Sequence, residues 1–324
     1  MDAAHGHAPH RGELVTTQPT LAERLDGLLF FPVTAFGPDG SLALDAYRAH
    51  VRAGVEAGAG AVFAACGTGE FHALTPEEYA ACVAAAVEET AGRVPVLAGA
   101  GYGTELALRY TALAREAGAD GILAMPPYLV LADQQGLLAH YRRLAADGGL
   151  PVVVYQRDNV VLEPATVAAL ARTEGVIGLK DGLGDLDLLQ RTVSAVRTDA
   201  PGRRFLFFNG LPTAELTGLA YRGLGVLLYS SAVFAFAPEI ATAFHRALTG
   251  GDDATVVRLL DGFYRPLVEL RNRGRGYAVS LVKAGVRMRG LDVGGVRSPL
   301  SDPAEDHLAA LSVLLEHGLG LVTA

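Results

Sequence analysis

Two of the 27 cationic side chains in this 324-residue chain are lysines, Lys180 and Lys283, and all the others are arginines. Where arginine serves every ordinary need for positive charge, a retained lysine points to chemistry that a guanidinium cannot perform. Arginine stays protonated, whereas a desolvated lysine can offer a neutral amine, attack a carbonyl and hold it as an iminium. Lys180 ends the apolar run "VIGLK", and Asp181-Gly182 turns the chain away behind it. In isolation a salt-bridged lysine at a strand end would look the same, so the reading depends on its neighbours. Lys283 lies within the helical pattern "YAVSLVKAGVRMRG" and reads as structural.

Tyr155 closes the run "PVVVYQ". A phenol beside an iminium can shuttle protons at the neighbouring carbon. The stretch "CGTGE" places Gly67, Thr68 and Gly69 in a tight turn whose backbone N–H groups can cradle a carboxylate, and Thr68 adds a hydroxyl able to relay a proton. Tyr128, Asn209 and Ser230 are polar residues at the ends of other apolar runs and are candidates for substrate contact. Singly, each has a plain reading: Tyr155 as a core tyrosine, Gly-Thr-Gly as an ordinary strand-ending turn, Glu70 as a brace for its own loop, Cys66 as a buried filler. Only the combination suggests a site.

Such groups act together only if parallel elements carry them to one mouth. Strand-like runs span 27–36, 61–67, 94–101, 121–127, 151–156, 176–182, 204–210 and 225–232. Helical runs follow them at 42–58, 75–92, 105–118, 135–148, 164–173, 187–198, 213–223 and 238–251. The helix at 75–92 opens with Thr75, Pro76 and Glu78, the residues of a capping box. The strands are apolar on both faces, as parallel strands covered by helices must be. This pattern predicts an α/β fold, a (β/α)8 TIM barrel over 20–251, with an open doubly wound sheet as the alternative. Residues 252–324 read as three helices packed on the barrel within the same domain, and residues 1–19 as a polar tail.

With 50% hydrophobic residues, 19% charged residues and a net charge of −8, the chain is expected to be globular, with no affinity for nucleic acid or membrane. Cys66 and Cys82 form neither a disulfide framework nor a zinc spacing. His5, His7 and His10 could bind a metal, but a polar tail is the simpler reading, so no metal site is expected. The start lacks a hydrophobic signal core, which favours the cytoplasm.

"CGTGE", "VVVYQ" and "VIGLKDG" together resemble the carboxylate loop, tyrosine strand and lysine strand of the dihydrodipicolinate synthase / N-acetylneuraminate lyase superfamily of Schiff-base barrels, over residues 20–318. Within it, "AMPPYLV", "VYQRDN", "FFNGLPTAE", "YSSAVF" and "YAVSLVKAG" are similar to the 5-dehydro-4-deoxyglucarate dehydratase branch. The resemblance implies Lys180 as the imine-forming lysine, Tyr155 as the proton-transfer phenol, Thr68 as the relay and the Gly67–Gly69 backbone as carboxylate binder. It further implies a keto-acid substrate, 5-dehydro-4-deoxy-D-glucarate, converted to 2,5-dioxopentanoate, CO2 and water without a cofactor, in a homo-oligomer, a tetramer or a dimer. The sequence departs from the superfamily pattern in having one threonine in the loop, Leu129 after Tyr128, Gln156 after Tyr155, Ala235 where asparagine is usual, and no clear counterpart in "YQRDNVVLEP" of the synthase arginine. Another 2-keto-acid aldolase or synthase, and a catalytically silent ligand-binding barrel, are the alternatives.

Overall fold

The computed structural model describes residues 19–323. The histidines of the polar start, His5, His7 and His10, lie outside the described residues. Within them, eight parallel strands close a barrel in simple sequence order. They are β1 (Leu28–Phe30), β2 (Ala61–Ala64), β3 (Val96–Ala100), β4 (Gly121–Ala124), β5 (Val152–Gln156), β6 (Val176–Asp181), β7 (Leu206–Asn209) and β8 (Leu228–Ser231). A short α1 (Leu21–Arg24) precedes the barrel. The outer layer comprises α2 (Leu44–Glu56), α3 (Pro76–Thr90), α4 (Thr104–Glu116), α5 (Gln134–Asp147), α6 (Pro164–Ala171), α7 (Leu186–Asp199), α8 (Gly218–Gly223) and α9 (Pro238–Gly250). The chain is therefore the closed barrel that the alternation predicted, and not the open sheet. The capping box at Thr75 and Glu78 is formed.

Two elements differ from the sequence reading for local reasons. β1 ends at Phe30, well short of residue 36, because Pro32 has no N–H to give the sheet. The run 213–223 opens as a 3₁₀ turn, Ala214–Thr217, before α8. There the Asn209 amide donates to the Ala214 carbonyl, an acceptor that a regular helix would use internally.

Beyond α9 come α10 (Asp253–Leu259), a π turn (Leu260–Tyr264), α11 (Arg265–Arg271), α12 (Tyr277–Met288) and α13 (Glu305–Thr323). Pro266 near the start of α11 lacks an N–H, and the helical ladder widens by one residue ahead of it. Val256, Phe263, Leu311 and Leu315 of this segment share one hydrophobic cluster with Ile240 and Phe244 of α9. No helix among the described residues is long and apolar enough to cross a membrane.

Residues alternate between the two sides of the strands, as a period of two requires, except at a bulge in β6, where Val152 pairs with Val176 but Val153 with Gly178. Leu29, Phe63, Leu97, Leu123, Val153, Tyr155 and Phe208 form the barrel interior, closed near the mouth by Phe31 stacked on Phe63 at 4.6 Å. Their strand neighbours, among them Phe30, Ala98, Ile122, Val154 and Leu179, face the helices.

Candidate active site

Lys180 and Tyr155 are register partners on adjacent strands, and both point into the barrel mouth. Lys180 is 5% and Tyr155 8% exposed. The Lys180 Nζ lies 3.9 Å from the centre of the Tyr155 ring and 5.0 Å from that of Phe31, so two aromatic faces hold the ammonium. One backbone oxygen gathers both polar tips: Gly210 O accepts from the Tyr155 hydroxyl at 3.1 Å and from Lys180 Nζ at 3.4 Å.

Two glycines keep this space open. A Cβ on Gly210 would fall 2.6 Å from Lys180 Cγ and 3.1 Å from Nζ, and one on Gly182 would fall 2.8 Å from Tyr155 Cε2. Gly210→Ala must displace the Lys180 side chain or the carbonyl that orients it. Turnover is expected to fall by about 100-fold or more, because a misplacement of about 1 Å is enough for that. Melting temperature and steady-state kinetics measured together check this; a fully active Gly210→Ala enzyme would contradict the crowding.

One residue beyond the pair, the strands turn their side chains outward and lock the register. The Gln156 amide donates to Asp181 at 2.8 Å, its oxygen accepts from the Leu162 N–H at 3.3 Å, and the Tyr221 hydroxyl donates to the other Asp181 oxygen. Burial and this contact with Asp181 keep the Tyr221 phenol protonated far above its ordinary range. Gln156, a departure from the superfamily pattern, therefore belongs to the scaffold behind the site.

The electrostatics favour a phenol that gives up its proton. Burial alone raises the Tyr155 pKa, but the adjacent Lys180 and Arg157 cations more than offset it and bring the phenol below its ordinary value.

Gly67 and Thr68 line the same cavity of about 300 Å³, with Phe31, Ser230 and the apolar Leu211, Val279 and Leu300. The turn that presents them is bracketed by two non-glycine residues in left-handed conformation, Ala65 (φ 47°) and Glu70 (φ 55°). Such backbone persists only when its surroundings impose it. The Thr68 hydroxyl makes no hydrogen bond to Tyr155 here, since the phenol is turned to Gly210 O.

Three candidates take other positions. Asn209 is buried and spends its amide on Ala214 O (2.9 Å) and Thr217 Oγ1 (2.8 Å), while its oxygen takes the Leu211 N–H (3.2 Å). It pairs in register with Asp181, so it faces the helices, and its reading as a substrate contact is corrected to a scaffold role. Gly69 is buried outside the cavity, with its carbonyl accepting from Thr34 Oγ1 at 2.6 Å. Tyr128 is 67% exposed and lines an adjoining cavity of about 570 Å³ that shares Gly67, His72, Tyr155 and Arg157 with the first.

The sequence reading passed over three contributors: Arg157, His72 and the first turn of α12, where Gly276, Ala278 and Val279 line the Lys180 cavity. Arg157 could have been noticed as the cation two residues beyond Tyr155, on the same side of an extended chain. Nothing local marks the α12 turn. Glu70 is structural, as expected, but it braces the C-terminal segment, accepting from Lys283 Nζ and the Arg297 N–H, each at 2.9 Å.

The profile of the dihydrodipicolinate synthetase family matches residues 24–318. "Probable 5-dehydro-4-deoxyglucarate dehydratase 1" of Streptomyces coelicolor is 74% identical over 309 residues, covering 94% of this chain and 98% of that protein. A protein of Bradyrhizobium sp. (strain BTAi1) named "Probable 5-dehydro-4-deoxyglucarate dehydratase" is 46% identical, covering 93% of this chain and 95% of its own length. Among solved structures, dihydrodipicolinate synthase from Bacillus clausii superposes with a TM-score of 0.84 at 25% identity, covering 91% of this chain and 98% of that one. With nearly its whole barrel and C-terminal helices matched, the chain belongs to the dihydrodipicolinate synthetase family.

Proposed function

We propose that this enzyme is a decarboxylating dehydratase that converts 5-dehydro-4-deoxy-D-glucarate to 2,5-dioxopentanoate, CO2 and water through a Schiff base on Lys180. The observation that carries the chemistry is the apposition of Lys180 and Tyr155 on one carbonyl, in a cavity whose wall includes the Gly67-Thr68 turn. The substrate is taken from the names of the relatives.

The Lys180 amine adds to the ketone at C5 and water leaves, giving an iminium that acidifies the C4 protons. The Tyr155 phenolate takes one of them, and the resulting enamine expels the C3 hydroxyl as water. Loss of CO2 from C1 then pushes its electron pair through C2=C3 and C4=C5 onto the imine nitrogen. Protonation of this dienamine, ketonisation at C2 and hydrolysis release the semialdehyde product and the free lysine. The iminium serves as electron sink, so the scheme calls for no cofactor. Backbone N–H groups of the Gly67–Thr68 turn and the Ser230 hydroxyl hold the C6 carboxylate. The wall of Leu211, Val279 and Leu300 can strip water from the carboxylate that departs.

A keto-acid panel tests the substrate. CO2 and semialdehyde should appear together only with the 4-deoxy-5-keto dicarboxylate; an aldol cleavage product from another keto acid would replace this reading.

Arg157 stands at the mouth as an exposed cation, paired with Asp158 at 2.9 Å. We assign it two tasks, drawing in the dianionic substrate and lowering the Tyr155 pKa. Arg157→Gln should raise KM by about tenfold at low salt, with less effect at high salt. Removing a cation raises the phenol pKa, so the ascending limb of the pH–rate profile should move to higher pH. A pH profile that matches the parent enzyme would remove Arg157 from proton transfer.

The chain is also proposed to form a single domain and to work as a cytoplasmic homo-oligomer, a dimer or tetramer. The exposed run Tyr128, Leu129, Val130 and Leu131 supports assembly, because an apolar stretch of this kind rarely stays bare in water.

A further inference from the structure

We infer that the second lysine, Lys283, is a positioning residue: paired with Glu70, it holds the Gly67–Thr68 turn against the first turn of α12 and so sets how tightly the substrate carboxylate is bound. The inference rests on the Schiff-base reading above for what that turn receives.

Neither Lys283 nor Glu70 lines the cavity, yet both side chains are fully buried. Lys283 Nζ reaches Glu70 Oε1 at 2.9 Å and donates to Gly295 O at 2.5 Å, and it sits 4.3 Å from the centre of the Phe36 ring. The other Glu70 oxygen accepts from the Arg297 N–H at 2.9 Å. Every partner of the carboxylate therefore comes from the C-terminal segment, more than 200 residues away in sequence.

These contacts act on backbone geometry. Glu70 adopts φ 55°, a left-handed conformation that a side chain disfavours. That conformation closes the turn: the Glu70 N–H donates to Gly67 O and the Phe71 N–H to Cys66 O, each at 3.1 Å. Lys283 lies about one turn along α12 from Ala278 and Val279 and about two from the N-cap Gly276, all three of which line the cavity. One buried ion pair thus joins the anion-binding turn to a helix that lines the same cavity. Buried ion pairs are weak stabilisers, because desolvation offsets their attraction, whereas removing one partner leaves an uncompensated buried charge.

The test uses Glu70→Gln/Lys283→Met, which removes both charges, nearly keeps the volume and leaves an acceptor for the Arg297 N–H. Lys283→Met alone strands a buried carboxylate and is expected to melt at a lower temperature. Pyruvate with borohydride is the probe, as the smallest 2-keto acid that can form the imine. The double variant should need about tenfold more pyruvate for half-maximal trapping on Lys180, a loss a structural strut would not cause. Its limiting trapping rate should stay within about twofold of the parent, because Lys180 and Tyr155 sit on strands the change does not touch. Half-saturation within about twofold of the parent would overturn the inference and leave the pair as a strut.

Amide exchange separates this inference from the reading beneath it, since it needs no covalent chemistry. In the double variant, residues 66–73 and 276–280 should both exchange about tenfold faster or more, while 176–181 stays protected. A parent chain that traps no pyruvate would sink the Schiff-base reading instead. The coupling would then stand on the exchange result, and unchanged exchange in either segment overturns it.

Discussion

Lys180→Arg is expected to abolish turnover, by on the order of 10⁴-fold or more, and to abolish the borohydride-trapped adduct while the barrel stays folded. The substitution keeps a cation between the Phe31 and Tyr155 rings, where Lys180 Nζ lies 5.0 Å and 3.9 Å from the ring centres. It removes only the ability to become a neutral nucleophile, because guanidinium stays protonated. If Lys180 merely paired with an anion, arginine would retain much of the binding and activity. Lys180→Met controls for the larger guanidinium: it should bind keto acid weakly, form no adduct and melt near the parent temperature. Lys283→Arg should keep an adduct on Lys180. Mass mapping of the adduct to Lys283, or an active Lys180→Arg enzyme, would end the Schiff-base assignment.

Tyr155→Phe should lose about 10²–10⁴-fold in turnover, the usual worth of a positioned acid or base, and still be trapped on Lys180. Phenylalanine keeps the ring that faces the ammonium but deletes the hydroxyl that meets Gly210 O. The contrast between an adduct retained and turnover lost separates imine formation from the proton transfer that follows it. The surviving activity should also lose the ascending pH limb, since the group that the two neighbouring cations push toward ionisation is gone. A variant with near-normal turnover would move the general base elsewhere in the cavity.

Much of this site could be read from the chain because strand pairing is local in its rules. Once "VVVYQ" and "VIGLK" are neighbouring parallel strands, Tyr155 and Lys180 become register partners, and both must face inward for either to do so. The same rule, applied one residue further, shows why Asn209 fails as a substrate contact. Phe208 pairs with Lys180 and points into the barrel, so Asn209, like its partner Asp181, points out. The error came from treating a polar strand end as a site without counting its parity. Ser230 passes the same test, because Tyr229 before it and Ser231 after it are both turned toward the helical layer.

Glu70 and Lys283 mark where reading along the chain stops. The sequence by itself determined the alternation, hence the barrel, the outward helices, and the amine, phenol and turn that meet at its mouth. All of these follow from periodicity and from interactions between neighbouring strands. Only the tertiary structure decided that Glu70 finds its cation in α12, that Gly276, Ala278 and Val279 wall the cavity, and that Gly210 O orients both Lys180 and Tyr155. The physical reason is that these contacts join segments whose approach is fixed by packing of the whole core and leaves no period in the sequence. A buried lysine on an amphipathic helix looks the same, residue by residue, whether its partner is a carboxylate from the turn after β2 or a surface water.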